Sequence, residues 1–333
     1  MLPIHPQLRD DELLSSWLVR LAWANRLKVH SLFNEMAGHR AAVWNRDIDR
    51  MVPVWLLQEI ERLTGISASK ARAAGLDGLM GTLNGGTPNR IGSETWLLPL
   101  GIWHRKRRRF GVQYCPVCMH VPEGQYIRRA WRLAFYTECE IHRVLLHDRC
   151  YSCGSPVAYF RADVGLRRRP ETPSMAMCSN CLVPLFKAPV LRAVWPSISL
   201  VTAIRTLLFM KDFGWACLDS RSFESSASLF RVLRQLTRIM ASNTANGQLY
   251  DAVADRIWPE GYRVLAFRGT AFEDRGVEER NRLFGMATWL AMDWPLRFRS
   301  VFKEAGIGRY CLVQDMVDPP DWYRAEYENL LGR

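Results

Sequence analysis

Cys115-Pro-Val-Cys118, Cys139-Glu-Ile-His142, Cys150-Tyr-Ser-Cys153 and Cys178-Ser-Asn-Cys181 are four short turns that each present two metal-binding side chains. Zinc needs four ligands in a tetrahedron, and a C-x2-C turn supplies two thiolates from one tight loop. Two turns make one site, so the four turns close two sites with no ligand missing. The turns can pair in order, giving Cys115, Cys118, Cys139 and His142 beside Cys150, Cys153, Cys178 and Cys181, or interleave as in a cross-braced RING. RING domains set their central ligands only a few residues apart. Here seven residues separate His142 from Cys150, and pairing in order is preferred. A site with four protein ligands leaves no position for a reacting water, so both zincs are expected to be structural. His120 and His147 could replace a ligand but read better as surface histidines or neighbours of the ligands.

The rest of the cysteine count supports metal over disulfides. Seven of nine cysteines lie between Cys115 and Cys181, and in a reducing compartment such spacing points to metal. Cys217 and Cys311 fall in stretches with helical pattern and are expected to pack as small hydrophobes. The chain has 333 residues, 48% of them hydrophobic, enough to bury a real core in two or three domains. No long uncharged apolar run or secretory pattern occurs, so the expectation is a cytoplasmic protein with no membrane contact. The formal charge of +12 is concentrated in the first two thirds, a balance that favours nucleic acid or another polyanion.

Outward from the cysteines, both flanks read as helical. The expected fold is mainly α with small zinc-stabilised β knuckles: an N-terminal helix-turn-helix-like region (1–110), a tandem zinc-binding domain (111–190) and a C-terminal helical domain (191–333). Asp10-Asp11-Glu12 places acids where a helix N-terminus favours them, and Leu13, Leu14, Trp17, Leu18 and Leu21 then form one apolar stripe. A second helix is expected from Ser31 to Ala37, ending at Gly38. Pro53 suits a first helical turn, Gly65 stops that helix, and Ser67 caps another through about Ala74. Two helices joined by Thr64-Gly65-Ile66-Ser67 have the outline of a helix-turn-helix, although plain packing gives the same pattern. Gly81 to Gly101 reads as a loop or boundary. Helices are expected again at Leu200–Phe209, Leu229–Met240, Glu278–Met292 and from Pro295 through Lys303, with Trp258, Trp289, Trp294 and Trp322 as core anchors.

Trp103-His-Arg105-Lys106-Arg107-Arg108-Arg109-Phe110 sets five cations between aromatics. Such a run can follow a phosphate backbone while a ring stacks on a base, or it can be a solvated connector before the first knuckle. Lys70 and Arg72 are the natural phosphate contacts on the helix after Ser67. Arg167-Arg168-Arg169 reads as an exposed loop. The chain lacks nucleotide-binding, metalloprotease and serine-hydrolase signatures, so nothing in it argues positively for an enzyme.

An N-terminal Pro-x-x-Pro, then Asp11-Glu12-Leu13-Leu14-Ser15-Ser16-Trp17-Leu18, then the paired knuckles, resembles the TniQ family. Tyr114-Cys115-Pro116-Val117-Cys118 resembles its first knuckle, Tyr126 to Leu133 its aromatic-basic stretch with Arg129 and Trp131, and Cys139 to Cys153 its second and third knuckles. The resemblance runs from about residue 3 to 190. One departure is Glu140, where the family often has proline. The resemblance implies a non-catalytic target-selection adaptor of transposition that works with an AAA+ transposition ATPase of the TnsC or TniB kind. Some members bind target DNA directly, as the longer TnsD relatives do. Others dock on a CRISPR Cascade complex as a head-to-tail homodimer. Adaptor and sequence-specific DNA-binding target selector therefore both stand, with a RING-like ligase as a distant third.

Overall fold

A computed structural model describes residues 2–37, 43–86, 93–103, 106–161, 173–218, 221–242, 248–258, 270–314 and 316–329. The chain is mainly helical, with a few short strands, and it divides into two compact units. One comprises residues 1–80 and 87–192, the other 81–86 and 193–333. Among the described residues no helix is long and apolar enough to cross a membrane.

In the first unit α1 (Leu14–Ala24) buries the expected stripe of Leu14, Trp17, Leu18 and Leu21. Its start lies later than the acidic run suggests. Leu13 occupies the N-cap position, and no acid lies in the first turn. Glu12 is instead buried, accepting a hydrogen bond from Ser16 Oγ at 3.0 Å and pairing with Arg20 at 2.5 Å. Burial pushes the Glu12 carboxyl above its ordinary range, while Arg20 and Ser16 oppose that rise. Pro6 is tied to α1, because Trp17 Nε1 donates to its carbonyl at 2.9 Å.

α2 (Val29–Ala37) begins two residues before the expected Ser31, and its expected stop at Gly38 lies outside the described residues. α3 (Val54–Thr64) follows Pro53 and ends at Gly65, whose φ of 72° is the left-handed conformation that glycine adopts without strain. Ser67 then accepts from Lys70 N–H and caps α4 (Ala68–Ala73). Both signals, the glycine stop and the serine cap, act as read. α5 (Asp77–Asn84) runs four residues into the stretch expected to be loop.

The basic run is not a featureless connector. Ile102–Trp103 (β1) and Lys106–Arg107 (β2) pair antiparallel, Trp103 opposite Lys106 and Ile102 opposite Arg107. Beyond it the chain enters the knuckle region through a one-turn helix, α6 (Pro116–His120).

Among its described residues the second unit is helical except for one hairpin, a departure from the purely helical C-terminal domain expected. α7 (Ile198–Met210) leads into β3 (Ala216–Leu218) and β4 (Arg221–Phe223), followed by α8 (Ser226–Ala241) and α9 (Gln248–Ile257). Cys217 therefore lies in a strand, not a helix, and is half-buried. Ser225 and Ser228 form a reciprocal capping box that starts α8. α10 (Val277–Ala291) buries Leu283, Phe284, Met286, Ala287 and Leu290. Gly285 is needed there, since a Cβ would stand 2.1 Å from the Trp195 ring. Trp195 in turn stacks on Trp258 at 5.3 Å. α11 (Leu296–Ala305), α12 (Arg309–Val313) and α13 (Asp321–Asn329) complete the unit. Trp294 meets Phe298 at 4.7 Å and Trp322 at 5.0 Å, so these rings serve as the core anchors expected of them. Trp289 lies under the Arg297 guanidinium at 4.7 Å. Cys311 is half-buried in α12.

Candidate metal centres and the basic hairpin

Cys115, Cys118, Cys139 and His142 converge, and so do Cys150, Cys153, Cys178 and Cys181, with the donor atoms of each set within 4.8 Å of one another. The turns thus pair in order, and each set can hold a metal ion. In the first centre Cys118 and Cys139 sulfurs stand 3.7 Å apart. His142 approaches through Nδ1, at 3.5 Å from Cys115, 3.2 Å from Cys118 and 3.6 Å from Cys139. In the second, Cys150 to Cys181 and Cys153 to Cys178 are both 3.7 Å. These separations are far beyond a disulfide bond of about 2.05 Å. Hydrogen bonds from Cys115 and Cys118 hold the Cys139 thiol far below its ordinary range, while burial pushes Cys178 up. Thiols this close cannot all ionise together, and a bound cation removes that conflict.

Three of the four turns share one backbone design. The residue after the second ligand is left-handed, with φ 55° at Arg143, 66° at Gly154 and 61° at Leu182. Its N–H donates to the carbonyl of the first ligand, at 2.8 Å for Cys139, 2.9 Å for Cys150 and 3.0 Å for Cys178. The flanking strands then meet in matching bridges, Glu138 with Leu145, Arg149 with Pro156 and Met177 with Pro184. The first turn departs because Pro116 opens α6. There Cys115 becomes the N-cap, and Cys118 N–H donates to its sulfur at 3.4 Å. Only Gly154 fits the left-handed position without cost. Arg143 is exposed, so Arg143→Gly should stabilise the first unit by up to about 1 kcal/mol in thermal or denaturant unfolding. A lower melting temperature would show that the arginine side chain outweighs the strain.

The surroundings of the first centre join the two motifs that carry the family resemblance. Leu13 N–H donates to Ile127 O at 2.9 Å, Arg129 N–H to Asp11 O at 2.8 Å, and Glu12 bridges Arg128. Tyr126 OH donates to Asp11 Oδ1 at 2.7 Å, and Arg128 pairs with the other Asp11 oxygen. Arg128 also points Nη2 toward Cys118 Sγ at 3.9 Å and lies over Tyr126 at 4.7 Å. It was not among the residues singled out in the sequence. One arginine among the three of an aromatic-basic stretch gives no sign that it spans a carboxylate and a cysteine sulfur. Asn180 is a second such case, its side-chain amide donating toward Cys153 Sγ at 3.6 Å. At Glu140 the N–H donates to Tyr136 OH at 3.4 Å, a bond that proline could not make. His120 packs edge-on to Phe186 at 5.4 Å. His147 Nε2 lies 2.8 Å from Pro189 O. Neither belongs to a ligand set.

The basic residues separate by strand alternation. Lys106, Arg108 and Arg109 are exposed, whereas Arg107 is 5% exposed. Arg107 donates to Val157 O at 3.0 Å and Tyr159 OH at 3.3 Å, with its guanidinium over the Tyr159 and Phe160 rings. It is therefore not one of the solvent-facing cations. Arg105 lies outside the described residues, as do Arg167, Arg168 and Arg169. On α4 both Lys70 and Arg72 are exposed, Arg72 reaching Asp77 at 3.4 Å. Next to the hairpin lies a buried polar cluster that the sequence did not reveal. Arg132 grips Asp47 with two bonds of 3.0 and 2.5 Å, and Ser15 donates to Asp49 from N–H at 2.8 Å and Oγ at 2.6 Å. Tyr159 OH meets the same Ser15 hydroxyl.

A mainly helical chain with two in-order four-ligand Cys/His centres is a protein carrying a tandem metal-binding module. The model of the TniQ family matches residues 3–146, and over that region the chain is similar to the TniQ family. The match contains the whole first centre and ends before Cys150, short of the extent of the resemblance. The family supports a transposition-associated role. No curated protein matches this chain.

Proposed function

We propose that the chain is a non-catalytic, two-zinc adaptor that joins a target-bound complex to the AAA+ regulator of a transposition system. The observation that carries the role is the family match over residues 3–146. Zinc is supported by the ligand geometry. Bonds of about 2.3 Å to sulfur and about 2.0 Å to nitrogen set tetrahedral edges of about 3.8 Å between sulfurs and about 3.5 Å between sulfur and nitrogen. The observed 3.7 Å and 3.2 to 3.6 Å edges fit that ion. Four protein ligands complete each site, so the metals hold the fold and polarise no substrate.

In this reading the eight Cys and His side chains are the metal ligands, and Lys106, Arg108 and Arg109 contact the polyanion of the target-bearing complex. That complex is a Cascade assembly, and the chain acts as a homodimer in the cytoplasm. A second reading, direct binding of a DNA site by the chain, draws on the α3–α4 pair with Lys70 and Arg72 exposed. α4 has only six residues, which gives a recognition helix fewer than two turns. The in-order ligand pairing removes the basis for a RING-like ligase. The test is a reconstituted transposition reaction with the chain omitted or added back. Insertions should lose their chosen site without it, and unchanged frequency and position would end the adaptor reading.

A further inference from the structure

The β1–β2 hairpin presents two unlike faces, set by the pairing register. Ile102 and Arg107 oppose each other on the inner face. Arg107, held by Val157 O, Tyr159 OH and two aromatic rings, fixes that face to the first unit. Trp103 and Lys106 oppose each other on the outer face, and Arg108, whose N–H donates to Gly101 O at 2.8 Å, continues it. Trp103 is 60% exposed, an unusual state for so large an apolar side chain, here on a basic hairpin. The Arg108 guanidinium lies 5.6 Å from its ring centroid, and among the described residues neither Lys106 nor Arg108 pairs with a carboxylate.

A largely exposed indole, flanked by two cations that meet no carboxylate among the described residues and anchored from behind, has the parts of a base-stacking platform. A duplex offers phosphates to such a surface but keeps its base faces stacked inside. A single strand offers both. We infer that the outer face of this hairpin binds single-stranded nucleic acid, with an unpaired base stacked on Trp103 and adjacent phosphates on Lys106 and Arg108. Stacking and phosphate contacts read no base edge, so recognition through Trp103, Lys106 and Arg108 is tolerant of sequence. Arg107 is a positioning residue, holding the platform without touching the strand. The inference rests on the polyanion reading above and sharpens it from charge to strandedness.

The experiment uses the full chain with both metals and labelled oligomers of about 16 nucleotides, oligo-dT, oligo-U and a mixed-sequence duplex, with heparin as a polyanion lacking bases. Fluorescence anisotropy should show both single strands binding more tightly than the duplex. Trp103→Ala should weaken single-strand binding roughly 5- to 100-fold and leave heparin binding unchanged, because the ring is exposed and its loss leaves the fold intact. Replacing Lys106 and Arg108 together with alanine should weaken every probe and flatten the salt dependence. If Trp103→Ala binds all probes as the parent does while the double variant is weakened, the platform is wrong and the polyanion reading stands. If the double variant also binds unchanged, both fall. Equal affinity of the parent for duplex and single strand likewise overturns the platform.

Discussion

Cys150→Ser should reduce the bound zinc from two ions per chain to one or none, and the first unit should lose its cooperative unfolding transition. The effect is large because a structural zinc contributes apparent free energies of about 10–16 kcal/mol, against total domain stabilities of about 5–15 kcal/mol. Its reach follows from what lies beyond the second centre. The Val157 carbonyl and Tyr159 hydroxyl downstream of Cys153 hold Arg107, and Tyr159 also meets Ser15 on α1. Phe160 stacks on Trp44 at 4.7 Å. Releasing the metal frees the segment that these groups depend on. Elemental analysis and circular dichroism of the purified variant, beside the parent with and without a chelator, decide it. Parent-like metal content and melting in the variant would remove Cys150 from the ligand set.

The cysteine turns were the legible part of this chain, because two-ligand spacing is a local constraint that no packing requirement imitates. Their pairing in order followed from the seven-residue gap after His142. Helix signals read from single residues also held where the physics is local, as at Gly65 and Ser67. They failed where tertiary partners outbid local preference. The acids before α1 looked like dipole partners for a helix start, yet Glu12 is buried against Ser16 and Arg20, and the half-exposed Asp11 is taken by Arg128 and Tyr126. Sequence alone could not reveal the Asp11 contacts, because Tyr126 and Arg128 lie more than a hundred residues away, and the burial that draws Glu12 onto nearby Ser16 and Arg20 is itself a tertiary effect.

The basic run failed differently. Strand alternation shows as alternation of polar and apolar residues, and five consecutive cations conceal it. Arg107 points inward while its neighbours face water, and the segment Val157–Phe160, distant in sequence, explains why a guanidinium is tolerated there, with two hydrogen-bond acceptors and two rings. The hairpin of β3 and β4 was missed because strands of three residues give too few positions for a period of two to emerge. The same limit hides the Asp47–Asp49–Arg132 cluster, in which no spacing signals that three charged residues will share one buried site.

That cluster should be the first unit's most sensitive point away from the metals. Arg132 is fully buried, so Arg132→Ala leaves Asp47 and Asp49 facing each other without their cation. Breaking a buried ion pair from one side costs about 3–5 kcal/mol. Although burial raises it, Asp47 is held below the ordinary carboxylate range by Arg132, while burial and the Asp47 charge push Asp49 up to about 6. The two therefore act oppositely on stability. Asp49 keeps a proton in the folded chain that the unfolded chain releases near pH 4, so its contribution is present below about pH 4 and is lost as pH rises to about 6. Asp47 contributes above the unfolded value and loses that contribution in acid. Urea unfolding across this range should show Arg132→Ala weakened by several kcal/mol near neutrality, and less so near pH 4, where Asp49 is protonated and the repulsion is relieved. Asp49→Asn should remove the loss between pH 4 and 6 while leaving the acid side unchanged. A parent-like midpoint for Arg132→Ala at neutral pH would mean that the cluster is solvated and contributes nothing to holding the unit together.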